Sequence, residues 1–258
     1  MNREYLVVAF GVCLAMAVLI PAVSPGASPS SKEILEHVDD LFRGDSSYSV
    51  LSMTVKTRHY TRKMKLEGWT LSTEYSLIRI LEPLKEKGTA TLKADNNIWN
   101  YLPKVDRVIK VPSSMMGASW MGSHFTNDDL VKESRMSQDY DHQISFQGER
   151  NDIRVIELSL TPKPEAAVVW GKVVATVREA DWIPLNIEYY GEKMDLKRTM
   201  TFSDITELGG RLLPATMHIT PSDKPEEYTE LTYQKIEFDI GLKKDFFSLR
   251  TLKNPEDL

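Results

Sequence analysis

A single, mainly β domain, one large antiparallel sheet curled into a barrel or half-barrel with a few helices, is the fold class the sequence predicts. Three observations lead there. Strand-like alternation recurs almost without interruption from Leu51 to Phe238. Turn signals separate these runs roughly every 8–12 residues, the spacing of sequential hairpins, which gives about eleven or twelve strands. No break in composition divides the 258-residue chain.

The first segment is expected to be removed. Met1–Tyr5 carries Arg3, Leu6–Ile20 is almost purely apolar, and the small, turn-prone run 21–28 follows. That is the order of a cleaved secretory signal peptide. The apolar run of about 15 residues is shorter than the ~20 a spanning helix needs. Cleavage after Gly26 or Ala27 fits best, with 1–27 as signal and 28–258 as one exported domain. The single cysteine, Cys13, lies inside the apolar run and is read as one more apolar residue. A domain of this length without disulfides can be held by its core alone.

Ser30-Ser31-Lys32-Glu33 has the form of a capping box. Ile34, Leu35, Val38, Leu41 and Phe42 then share one helical stripe, and Gly44 is placed to end the helix. Leu51, Met53 and Val55 alternate with polar residues as the first strand. Past a turn near Tyr60, Met64, Leu66 and Gly68-Trp69 make the second. Leu71–Ile80 makes a third, ending at Glu82-Pro83. Gly88–Ala94 starts the next, and Asp95-Asn96-Asn97 is a strong turn signal. Ile98–Leu102 and Arg107–Val111 read as a hairpin.

The stretch Val111–Leu130 breaks the pattern. It places Met115, Met116, Trp120, Met121 and Phe125 in a loop interrupted by Gly117 and Gly122. Loops normally run over the surface and are polar. This one needs something apolar to lie against, either as a plug sealing the core or as a lid over a cavity for greasy ligands, a use that suits adaptable methionine. Gly117 and Gly122 are the candidate hinges. Thr126-Asn127-Asp128-Asp129 then offers an N-cap for a short helix over Asp128–Ser134, its acids read as capping and dipole partners rather than catalysts.

Strands resume at Gln143–Gly148, Ile153–Thr161, Lys172–Arg178, Leu185–Tyr190, Lys197–Leu208, Leu212–Thr220 and Thr229–Phe238. Gly209-Gly210 is the sharpest hairpin signal among them. Lys243–Phe247 reads as a short helix or turn returning Phe246 and Phe247 to the body.

The formal net charge of −5 argues against a nucleic-acid partner. The five histidines, His37, His59, His124, His142 and His218, are scattered without metal-ligand spacing. No nucleophile elbow, phosphate-binding glycine loop or zinc-hydrolase helix is present. Neither catalysis, a metal nor another cofactor is therefore expected. Apolar residues placed where a ligand could meet them remain: Met53, Val55, Met64, Leu66, Trp69, Ile78, Ile80, Trp99 and Tyr101 from strands, with Met115, Met116, Trp120, Met121 and Phe125 above them. Which strand face is concave stays open, since a shift of one residue flips the set.

Several runs carry a family resemblance: Arg79-Ile80-Leu81-Glu82-Pro83, Gly88-Thr89-Ala90 and Asn97-Ile98-Trp99-Asn100-Tyr101-Leu102-Pro103. Above all there is Met115–Ser123 with Phe125–Leu130, followed by Trp182–Leu185 and Phe246–Arg250. Together they resemble the outer membrane lipoprotein-sorting (LolA-like) family of exported proteins over most of the mature chain. The resemblance implies an unclosed antiparallel β-barrel with a helical lid that binds acyl chains in its concavity. It implies a periplasmic, monomeric carrier that moves lipids or lipoproteins between membranes, with an inner-membrane transporter as donor. A lipid- or peptide-binding sensor or adaptor for a membrane complex is the alternative. This chain is longer than the well-studied carrier, whose functional residues do not map onto it, and fold alone does not settle function.

Overall fold

The computed structural model describes residues 29–132, 136–166 and 168–254. The expected signal segment and Cys13 lie outside these residues. Helix α1 (Ser31–Asp40) begins with the anticipated capping box: Ser30 Oγ accepts from the Glu33 N–H at 3.2 Å, and Glu33 Oε2 accepts from the Ser30 N–H at 2.8 Å. Its buried residues, Ile34, Leu35 and Val38, belong to the predicted stripe, but the helix stops at Asp40, so Leu41 and Phe42 of that stripe lie in the turn beyond it.

Strands β1 (Ser46–Lys56), β2 (Thr61–Leu71), β3 (Tyr75–Glu82), β4 (Ala90–Ala94), β5 (Asn97–Leu102) and β6 (Arg107–Lys110) follow as consecutive hairpins. The loop, α2 (Asn127–Lys132) and α3 (Met136–Asp139) come next. The chain then builds β7 (Tyr140–Arg150), β8 (Ile153–Pro162), β9 (Lys172–Arg178), β10 (Pro184–Tyr190), β11 (Leu196–Leu208), β12 (Arg211–Pro221) and β13 (Tyr228–Phe238). All thirteen form one antiparallel sheet in the order β6-β5-β4-β3-β2-β1-β13-β12-β11-β10-β9-β8-β7. β6 and β7 remain as edges, so the sheet is not closed.

Thirteen strands exceed the eleven or twelve expected. Short members such as β4 and β6, of 5 and 4 residues, are strands because neighbours supply their ladder, not because their own pattern is strong. The third strand also starts later than Leu71. Ser72 turns back at φ +49°, with its N–H on the Asp45 carbonyl, and Leu71 belongs to β2. Gly209 and Gly210 form the anticipated two-residue turn, at φ +60° and +79°, a pair of left-handed conformations that glycine adopts without steric cost. The expected helix from Asp128 starts one residue earlier, with Thr126 as its cap, and its end at Ser134 lies outside the described residues. The tail makes a 3-10 turn at Lys244–Phe246 and then a helix the pattern did not announce, α4 (Leu249–Lys253), capped by Ser248.

Partners directly opposite on antiparallel strands share a face, and here the ladders line up two apolar rows. One crosses five strands as Met64–Met53–Leu231–Met217–Phe202. It belongs to the main core, which α1 and the methionine loop cover. The other runs Tyr48–Trp69–Leu77–Leu92–Trp99 on the reverse face, beneath Phe247 and Leu252 of the tail. Each fully buried aliphatic side chain in these rows contributes roughly 1.5–3 kcal/mol. The sheet curls around the first row. Ser76 and Ile78 of β3 line the same cavity as Pro184 and Ile187 of β10, yet in the strand order they stand six spacings apart, roughly 29 Å on a flat sheet.

Candidate ligand cavity under the methionine loop

The concave row leaves a cavity of about 200 Å³. Leu51, Leu66 and Ile78 form one wall; Ile187, Met200 and Phe202 face them; Met217 and Leu231 lie between. Val38 of α1 and Phe42 just beyond its end, with Trp120, Phe125 and Leu130, cover it. Its polar members are few: Asp39, Arg43, Ser49, Thr70, Ser76 and Asp129.

The covering loop is built, not draped. Trp120 and Phe125 face each other across a tight turn, the Trp120 N–H on the Phe125 carbonyl at 2.8 Å and the rings edge to face at 6.5 Å. Met121 and Gly122 make the reversal at φ +49° and +71°. Trp120 is only 3% exposed, and its Nε1 donates to Thr91 Oγ1 on β4 at 3.1 Å. Further ties hold the loop and the start of α2 to the barrel wall. Arg62 Nη1 donates to the Met121 carbonyl at 2.6 Å, and Tyr60 OH to that of Gly122 at 3.2 Å. The His124 N–H reaches Thr229 Oγ1 at 2.9 Å, while its Nε2 stands 3.5 Å from Glu227. Arg198 of β11 donates to the His124 carbonyl at 2.9 Å and, with Nη1 and Nη2, to both oxygens of Asp129. Its guanidinium also lies over Tyr189 and Trp170, 4.2 and 4.5 Å from their ring centres. Burial holds His124 below its ordinary value, outweighing Glu227.

Beneath the cover, Asp39 joins α1 to α3 by accepting from the Ser137 N–H at 3.2 Å and its Oγ at 2.9 Å. Desolvation pushes its carboxyl up to about 6 despite those bonds. Among the described residues no group of three or more His, Cys, Asp or Glu is placed to hold a metal ion. What the arrangement offers chemically is a small, mostly apolar cavity with few polar groups.

Comparison with known proteins agrees on the architecture. A family model described as "-like: Uncharacterized protein" matches residues 72–254, more than half of the chain. A DUF1329 family protein from Desulfovibrio piger superposes with a TM-score of 0.77 at 22% identity, over 86% of this chain and 97% of its own. An outer membrane lipoprotein-sorting protein domain from Vibrio parahaemolyticus gives 0.74 at 24% identity, over 86% and 98%. A LolA superfamily protein from Nitrosomonas europaea gives 0.73 at 21%, over 86% and 99%. The chain belongs to the matched family, and its fold is LolA-like. Among curated proteins none matches it.

In this LolA-like frame the fourteen residues singled out from the sequence divide into three groups. Met53, Val55, Met64, Leu66, Ile78 and Ile80 lie on the concave face with Trp120, Met121 and Phe125; of these nine, Leu66, Ile78, Trp120 and Phe125 line the cavity itself. Trp69, Trp99 and Tyr101 pack in the cluster on the reverse face. The Trp69 position borders the cavity, but its ring lies against Tyr48 and Phe246. Placing these three aromatics in the concavity is therefore corrected by the ladder register. Met115 and Met116 stay outside the main core, Met115 being half exposed. Of the two candidate hinges, Gly122 occupies the left-handed region, whereas a Cβ at Gly117 would meet only Val169, at 4.0 Å.

The sequence list omitted the far wall, Ile187, Met200, Phe202, Met217 and Leu231, and it omitted Arg198. A signal existed for the arginine. Arg198 shares strand parity with Met200 and Phe202, so alternation alone assigns its cation to the apolar face, while Lys197 beside it is exposed.

Proposed function

We propose that this protein is a non-catalytic periplasmic carrier that holds the acyl chains of a lipid or lipoprotein in the concave cavity and moves them between inner and outer membrane. The observation supporting this reading is the largely apolar, partly covered cavity between one curled sheet and a latched, aromatic-rich loop. The LolA-like fold, shared with a lipoprotein-sorting protein domain, points the same way.

Each methylene buried contributes roughly 0.8 kcal/mol, so an acyl chain needs no strong polar contact to be held. At about 200 Å³ the partly open cavity falls below the roughly 300–1,000 Å³ of small-molecule pockets. A whole chain is therefore admitted when the methionine loop lifts. In this reading residues 111–130 are a lid, Gly117 and Gly122 its flexible points, and the Arg198–Asp129 pair its clasp. The lining comprises Leu66, Ile78, Trp120 and Phe125 together with the far wall of β10–β13. Met53, Val55, Met64, Ile80 and Met121 support that lining from the surrounding core.

Export through cleavage of residues 1–27 would deliver the single domain 28–258 to the periplasm as a monomer. A carrier with no energy input cannot pump, so direction comes from differential affinity, with an inner-membrane transporter as donor. Native mass spectrometry of protein purified from its own envelope tests the proposal. Acyl-chain species should accompany the protein; their absence, with binding of added acyl probes also undetectable, would overturn it.

A further inference from the structure

The carrier proposal leaves open how the molecule meets a membrane, and one end of the sheet offers a surface for it. β1, β3 and β5 all run toward the same end, so the turns after them, at 57–60, 83–89 and 103–106, are neighbours on one rim. They touch. Arg62 pairs with Glu86 across the first two, and a Cβ built on Gly88 would meet Pro103 Cγ at 3.6 Å across the second and third.

The tips of two of these turns are apolar and project outward. Leu84 is 86% exposed and Val105 60%, with Tyr60 and Leu102 also open to solvent beside them. Singly, an exposed leucine needs no explanation. Here the two turns are adjacent and lysines stand beside both tips: Lys85 and Lys87 follow Leu84, and Lys104 precedes Val105, all exposed. Segments 57–63, 82–89 and 103–107 together hold seven lysines and arginines against three acids, a formal +4 in a chain of net −5. Arg62 and Glu86 cancel as a pair within that sum, and Asp106 is paired with Lys253 of α4 at 2.7 Å.

We propose that this rim is a docking surface for an anionic lipid bilayer, with Leu84 and Val105 entering the interface and the surrounding lysines resting on the headgroups. Apolar tips within a basic collar are the composition that binds such surfaces, because insertion and electrostatic attraction add. An acidic protein partner would satisfy the charge but not two solvent-projecting aliphatic tips on separate, convex turns. The rim also holds the cover: Arg62 and Tyr60 bond the carbonyls of Met121 and Gly122. Docking would thus set the lid-bearing end of the barrel against the bilayer. The inference takes its purpose from the carrier reading, but its contacts stand independently of it.

The test is co-sedimentation of the protein with phosphatidylethanolamine–phosphatidylglycerol vesicles and with phosphatidylcholine vesicles, across a salt series. Bound acyl species are read by native mass spectrometry on the same samples. The wild-type protein should bind the anionic vesicles, and less so as salt rises. Leu84→Ser with Val105→Ser, and separately Lys85→Glu with Lys87→Glu and Lys104→Glu, should each lower that binding by about tenfold or more, with unchanged melting temperature and cargo. Failure to bind anionic vesicles, equal binding to both lipids, or variants that bind as well as wild type would overturn the proposal. So would variants that keep vesicle binding but lose cross-linking to a membrane protein, since the rim would then be a protein-docking site. Vesicle binding without any acyl species would count against the carrier reading alone.

Discussion

Arg198 on β11 and Asp129 on α2 meet through two parallel hydrogen bonds, Nη1 to Oδ2 and Nη2 to Oδ1, each of 2.6 Å, with both side chains almost wholly hidden from solvent. The pair joins the far wall of the barrel to the element directly behind the methionine loop, and Arg198 extends the tie to the His124 carbonyl. It is a bidentate, charge-assisted contact in a site that excludes water, where such bonds are strongest.

Removing one partner leaves the other charged and buried. Asp129→Asn or Arg198→Ala should therefore destabilise the protein by about 3–5 kcal/mol, read as a shift in the urea midpoint. Replacing both, as Arg198→Met with Asp129→Leu, should recover most of that loss, since a well-packed apolar pair is often as stable as a buried ion pair. In the double variant, hydrogen exchange over residues 119–130 should quicken relative to the sheet. A single substitution with a cost under about 1 kcal/mol would mean the pair is not a clasp.

Asp39 gives the stability a pH dependence of definite sign. Its carboxyl is raised in the fold from 3.8 to about 6, chiefly by burial. The folded protein thus holds that proton more tightly than the unfolded chain, and this contribution to stability falls as pH rises from about 4 through about 6. The two-unit displacement corresponds to about 3 kcal/mol at most. Asn at position 39 can still accept from Ser137 without a charge. Asp39→Asn should therefore stabilise the protein at about pH 7.5 and be neutral near pH 4, a difference measured by urea unfolding at both. Equal effects at the two pH values would show that the carboxyl is not desolvated.

Trp120 and Met121 separate a cover from a plug. Trp120→Ala removes a buried ring at a cost of about 3–5 kcal/mol, while the clasp at Asp129 and the hydrogen bonds of Arg62 and Tyr60 to backbone carbonyls remain. The double change Trp120→Ala with Met121→Ala should lower retention of acyl species while far-UV circular dichroism keeps its β signature. Global unfolding of the double variant would instead identify the loop as a core plug.

Residue parity explains how far the site was legible. Met64 and Leu66 share one parity on β2 and Trp69 has the other, so alternation within a single strand already divides them between faces. Within β5 the same rule groups Trp99 with Tyr101 but cannot say which face of the sheet they take. That depends on the ladder, through Leu92↔Trp99 and Ala90↔Tyr101, and on the tail helix that covers Leu92. Alternation with Thr199, Thr201 and Ser203 already puts Met200 and Phe202 on one face of β11, but no local pattern says that this face meets Leu66 of β2, which lies four strands away in the sheet.

The sequence by itself determined the hairpin series, the capping box at Ser30, the N-cap at Thr126, the Gly209-Gly210 turn and the oddity of an apolar loop, because these follow from backbone sterics and local periodicity. Only the tertiary structure decided that the sheet curls, which face is concave, and that Arg198 reaches Asp129 from 69 positions away. Those outcomes depend on strand register and on which side chains exclude water together, and neither quantity is carried by any single segment of the chain.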